Sequence, residues 1–136
     1  MTITLDPVGY VHRDAGDDAL RGAELRARPA RIVIDPQVTD ALLGLEPGHD
    51  VIVLCYLHQA DRSVLRVHPR GDPDNPLRGV FATRSPARPN PISVTSARIE
   101  RIEGNVLHVV GLDILNDTPV VDIKSYAEAF DTPYQG

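Results

Sequence analysis

The chain has 136 residues, a net charge of −5, 42% hydrophobic and 24% charged residues, proportions of a globular domain. It holds no run of about 18 apolar residues and opens with no basic-then-apolar leader, so one cytoplasmic domain over residues 1–136 is expected. The acidic balance argues against a general nucleic-acid coat; neither DNA nor a membrane is expected as partner, and the lone Cys55 excludes an internal disulfide.

Ile3-Thr4-Leu5 and Val8-Gly9-Tyr10-Val11 read as a first strand broken by Pro7. Residues 13–31 are charged and Ala-rich, with Leu20 and Leu25 too sparse for a helical stripe, and read as a loop with one helical turn. Residues 31–34 form a short strand. Asp35 as N-cap, Pro36 as first helical residue and Gly44 as stop predict a short amphipathic helix presenting Val38, Ala41, Leu42 and Leu45. Residues 50–58 are a fully buried strand, in which Cys55 reads as a small core hydrophobe. A strand of mixed face follows over 63–68, then a loop over 69–76.

Val80-Phe81-Ala82 is a short apolar strand, after which Pro86, Pro89 and Pro91 exclude helix or central strand and stiffen the chain. Arg84, Ser85, Arg88 and Asn90 project from this rigid loop, which suits donors aimed at a carboxylate or phosphate. A plain connecting loop would have the same composition. Residues 92–102 and 106–115 form a hairpin across Glu103-Gly104-Asn105, with a β-bulge near Ser96 where the apolar alternation slips. A short strand over 120–123 and a helical turn over 126–130 complete the chain. Strands joined by short turns, without a βαβ rhythm, indicate a mainly β, single-sheet antiparallel barrel with short peripheral helices.

Charge is uneven: residues 62–88 hold Arg62, Arg66, Arg70, Arg78, Arg84 and Arg88 against only Asp72 and Asp74. A basic middle in an acidic chain suggests a local anionic partner. The glycines never fall as G-x-G, and neither H-E-x-x-H nor C-x-x-C occurs. His58, His68 and Asp61 lack compact ligand spacing, so no metal is expected. Ser85, His58 and Asp122 can be written as a triad, but no nucleophile elbow supports it. His58-Gln59 ends the apolar strand, a common place for a ligand. Asp113, Asp122 and Lys124 are charges beside apolar residues and need partners.

Two segments carry a resemblance. The run Gly-Val-Phe-Ala-Thr-Arg-Ser-Pro-Ala-Arg-Pro-Asn-Pro-Ile over residues 79–92 resembles the signature of the TrmO/TsaA-like methyltransferase family, and residues 112–124 resemble its second signature. Val8-Gly9-Tyr10-Val11, Gly44-Leu45-Glu46 with His49, and His58-Gln59 fall in the family's order, so the likeness spans residues 7–131. It implies a non-Rossmann barrel that dimerises, binds S-adenosyl-L-methionine and methylates N6 of threonylcarbamoyladenosine in tRNA. It further implies cofactor contacts at His58, Gln59, Arg84, Asn116, Asp117, Thr118 and Pro119. Asp122, Lys124 and Tyr126, following the second signature, become catalytic candidates, and Arg66, Arg78, Arg88 and Asn90 substrate contacts. The family's N-terminal Pro-Arg-Gln contact has only a loose echo, Arg28-Pro29, and Pro47-Gly48 replaces the Phe-Ser before His49. The longer bacterial tRNA enzymes carry a further C-terminal domain, so a small-molecule acceptor, or a non-catalytic cofactor-binding module, are the alternatives.

Overall fold

A computed structural model describes residues 1–136. Alternating apolar residues fold into β1 (Gly9–His12), β2 (Ala30–Ile34) and β3 (Asp50–Tyr56), with α1 (Gly22–Arg26) between the first two. The two-residue strands β4 (Arg66–Val67) and β5 (Arg78–Gly79) make a separate ribbon. After them come β6 (Ile92–Glu103), β7 (Val106–Val110), β8 (Pro119–Ser125) and α2 (Glu128–Asp131). The six longer strands close a barrel in the order β1-β2-β7-β6-β3-β8, and every pair is antiparallel. Side chains alternate across each strand, so Val11, Ile32, Val53, Ile99, Val109 and Val120 meet in the core.

Several sequence expectations need correcting. Ile3 and Leu5 lie exposed outside β1. The segment Pro36–Leu42 forms 3₁₀ turns kinked at Val38 rather than a continuous helix; its Asp35 cap is present, with the carboxylate accepting from the Gln37 N–H at 2.9 Å. β3 is buried on one face only, Val51, Val53 and Cys55 pointing inward and Ile52, Leu54 and Tyr56 outward. Val80–Ala82 is a 3₁₀ turn that buries Val80 and leaves Phe81 on the surface. The bulge near Ser96 is absent: β6 pairs with β3 in unbroken register from Ile92 to Arg98, and the slip lies between Ile99 and Arg101. Ile92 and Val94 break the inward pattern because they belong to the outer face.

The second arm of the hairpin is the informative difference. β7 stops at Val110, opposite Arg98, instead of running to residue 115. At Gly111 the chain adopts φ +113, and a Cβ there would stand 3.1 Å from the Ser96 carbonyl oxygen, so a side chain would be strained on both counts. The chain leaves the sheet at that point. Between Ile92 and Ser96, β6 therefore has β3 along one edge and no strand along the other.

Candidate functional site

A cavity of about 1250 Å³ lies against this open edge. Residues from both faces of β6, Ser93 and Thr95 as well as Ile92 and Val94, line it because the sheet is parted there. Its other walls come from the turn after β3, the loop after Val80–Ala82, and residues 113–116 with Thr118.

The last wall is held by an arginine that the sequence left unremarked. Arg13 is 7% exposed, and its guanidinium donates to the carbonyls of Leu112 and Ile114 and, at 3.4 Å, to that of Leu25. Burial lowers its pKa from the ordinary arginine value, opposed by the nearby Asp17 and Asp113 carboxylates. Its backbone N–H donates to Asn116 Oδ1 at 2.8 Å, and Arg26 Nε donates to the Gly111 carbonyl at 2.7 Å. Where strand hydrogen bonds end, arginine side chains take over the carbonyls of the departing segment. Only tertiary placement reveals this, since residues 13–31 carry no periodic pattern.

The cavity gathers His58, Gln59, Arg84, Asn116 and Thr118 from three distant stretches of chain. Arg84 has one long contact, donating to the Val94 carbonyl at 3.5 Å, and no ion pair, so its charge faces the cavity largely unsatisfied. The Asn116 side-chain oxygen is already occupied by Arg13, and the Thr118 hydroxyl donates to the Leu115 carbonyl at 2.8 Å. Both brace the wall. Asp117 and Pro119 do not line the cavity: Asp117 takes φ 64 in the turn and donates its N–H to the Val11 carbonyl, while Pro119 pairs with Tyr10. On the wall of residues 113–116 and Thr118 the carboxylate is Asp113, which accepts from Thr95 Oγ1 at 3.1 Å, while Asp61 and Asp131 line other parts of the cavity.

Of the catalytic candidates, Tyr126 lines the cavity, but Asp122 and Lys124 do not. They project from the outer face of β8 opposite Leu54 and Ile52, with Lys124 Nζ 2.7 Å from Asp122 Oδ2. That hydrogen bond raises the Lys124 pKa above its ordinary value. Ile52 itself lines the cavity, so the pair stands one strand from its rim. The basic segment also divides. Arg88 is turned inward, donating to the carbonyls of Val80, Thr83 and Ser85, and Arg62 donates to Pro89 O and Asn90 Oδ1, which fixes the Pro-rich loop. Arg66 and Arg78 border a separate groove. Arg28, the echo of the family's N-terminal contact, is away from the cavity near Asp17, whereas Arg21 and Arg26 line it. No group of three His, Cys, Asp or Glu side chains is placed to hold a metal ion.

On the inner side of the parted wall, Cys55 and Ser93 face each other across β3 and β6. Burial pushes the Cys55 thiol up to about 12, the Ser93 hydroxyl opposing this by hydrogen bonding. The Ser93 hydroxyl has no oxygen or nitrogen partner in the protein although it lines the cavity. The thiol is at best a weak partner for it.

Residues 18–132 match the tRNA-methyltransferase O N-terminal domain. The chain belongs to that family. Among relatives of this tRNA-methyltransferase O family, a probable S-adenosyl-L-methionine-binding protein of Methanocaldococcus jannaschii is 46% identical over 133 residues, covering 95% of this chain and 96% of its own. The human tRNA (adenine(37)-N6)-methyltransferase is 34% identical over 139 residues, covering 94% of this chain and 31% of the human one. The crystal structure of TrmO from Pseudomonas aeruginosa superposes with a TM-score of 0.72 at 30% identity, over 100% of this chain and 61% of the TrmO chain. The chain thus spans about three fifths of the solved TrmO chains.

Proposed function

We propose that this protein is an S-adenosyl-L-methionine-dependent methyltransferase acting on N6 of threonylcarbamoyladenosine in tRNA. The observation that carries the reading is the convergence of His58, Gln59 and Arg84 on a cavity at the open edge of β6, in a chain of this family. The lining fits the chemistry of the cofactor. Arg84 supplies a guanidinium for its carboxylate, and Asp113, rather than Asp117, a carboxylate for its ammonium group. Ile92, Val94 and Leu115 provide apolar wall, and the Ser93 hydroxyl, bonded only weakly to the Cys55 thiol, and the β6 edge offer polar groups to an adenosine.

When bound, S-adenosylmethionine supplies an electrophilic methyl group on a sulfonium. The contribution asked of the residues is to hold the acceptor nitrogen in line. Of the three catalytic candidates Tyr126 alone lines the cavity and is assigned to orient the adenine there, while Asp122 and Lys124, paired with each other one strand from the rim, brace β8. The outer face of β3 beside the cavity, with Leu54 and Tyr56, is proposed as the homodimer contact, which light scattering tests. Incubation with methyl-labelled cofactor and tRNA lacking the modification tests the whole reading; label is expected at the adenine next to the anticodon. No binding of the cofactor by calorimetry sinks it. The net charge of −5 favours one alternative, the same cofactor with a small-molecule acceptor, which label on a metabolite and none on tRNA would select.

A further inference from the structure

Ten of the thirteen arginines have a partner within the protein. Arg28, Arg31, Arg98 and Arg101 are in ion pairs. Arg13, Arg21, Arg26, Arg62, Arg84 and Arg88 donate to backbone carbonyls. The three left over, Arg66, Arg70 and Arg78, all sit on the β4–β5 ribbon and its loop, and all are exposed. The loop itself is fixed: His68 Nδ1 lies 2.8 Å from the Asn75 carbonyl oxygen, and Asn75 Nδ2 donates to the Pro69 carbonyl at 2.7 Å. Unpaired guanidiniums on an ordered arm repel one another unless an anion joins them.

Between this ribbon and residues 82–86 runs a groove of about 890 Å³. Arg66, Arg70, Arg78, Arg84 and His68 border it, and no Asp or Glu does. In an acidic chain that is a local arrangement, not a reflection of overall composition. Thr83, Arg84, Ser85 and Pro86 line both this groove and the main cavity, so one short wall separates the two. Phe81, 84% exposed, stands at the cavity rim just before that wall. The ribbon register places Arg66 opposite Gly79 and Arg78 opposite Val67, hence on opposite faces. A flat surface or stiff duplex meets one face; a flexible strand can bend over the ribbon edge and meet both.

We propose that the groove is a phosphodiester track for single-stranded RNA, with Arg66, Arg70 and Arg78 on successive phosphates and a base crossing the Thr83–Pro86 wall to stack on Phe81. The track deepens the tRNA reading above, and its identification as part of a methylation site rests on it. The binding itself does not.

Fluorescence anisotropy with a labelled single-stranded oligoribonucleotide across a salt series tests the track, with calorimetry of S-adenosylmethionine alongside. Replacing Arg66, Arg70 and Arg78 together by Ala is expected to weaken RNA binding at least ~10-fold at low salt. It also removes about 2 from the slope of log K against log salt, at roughly 0.7 per phosphate contact. Cofactor affinity and melting temperature stay unchanged. Phe81→Ala weakens binding ~10-fold with the slope kept, as loss of stacking requires. Unchanged affinity and slope in the triple variant would overturn the proposal. So would an equal loss in Arg98→Ala/Arg101→Ala, or competition by poly-glutamate as strong as by RNA. RNA binding lost through the three arginines in a protein that binds no cofactor keeps the track and rejects the methyltransferase reading.

Discussion

Arg13 and Arg84 are the same residue in opposite circumstances. Arg13 lies under the segment leaving the barrel, where burial would penalise its charge if the carbonyls of Leu112 and Ile114 did not accept from it. Arg84 lies across the open edge of β6 with one contact at 3.5 Å and no carboxylate. The first closes the gap left by β7; the second faces into it. A guanidinium whose donors are filled by backbone is architecture, and one whose donors are free on a cavity wall is an offer to a ligand.

Substitutions separate the two. Arg13→Ala is expected to lower folding stability by about 3 kcal/mol, since buried carbonyls lose a charged donor, measured as a shift in the urea midpoint. A shift below about 1 kcal/mol would mean that the segment stands without it. Arg84→Ala should instead leave the urea midpoint near that of the wild type and weaken cofactor binding by about 2 kcal/mol, roughly 30-fold, in calorimetry. Equal loss of folding and binding would make Arg84 architectural too and erase the contrast.

Cys55 tests how dry the inner side of the parted wall is. Its thiol keeps its proton in the folded state up to about pH 12, while the unfolded thiol loses it near 9. Stability from this group is therefore complete below about pH 9 and falls as pH rises toward 12, at up to about 1.4 kcal/mol per pH unit. Cys55→Ala should flatten that part of the pH profile. A native thiol alkylated readily near pH 9 would show water passing from the cavity into the core. The smallest effect is expected at Arg98→Ala, whose ion pair with Asp50 at 3.2 Å is half-exposed: below about 0.5 kcal/mol by the same urea titration.

The barrel was legible because strands of alternating polarity joined by short turns leave few other solutions, and the Pro-rich loop because three prolines restrict its backbone. What could not be read was where β7 ends. Residues 111–115 look as apolar as the strand before them, and only the approach of Gly111 to Ser96 shows why pairing stops there. The same limit affected the site. Arg84 could be named from the first signature, and His58 and Gln59 from the strand end and the family's motif order, whereas Arg13, Ser93 and the partner of Asp113 depend on which segments meet in space. Val80-Phe81-Ala82 read as a strand because three apolar residues in a row suit a strand and a 3₁₀ turn equally.

The early end of β7 also leaves a trace in amide exchange. Successive residues of a strand send their N–H groups to opposite edges, so about half of the amides over residues 92–96 have no strand to receive them. In the free protein these should exchange with solvent much faster than their neighbours bonded to β3. A ligand seated against β6 would slow that alternate set alone, marking the seam as occupied one amide in two.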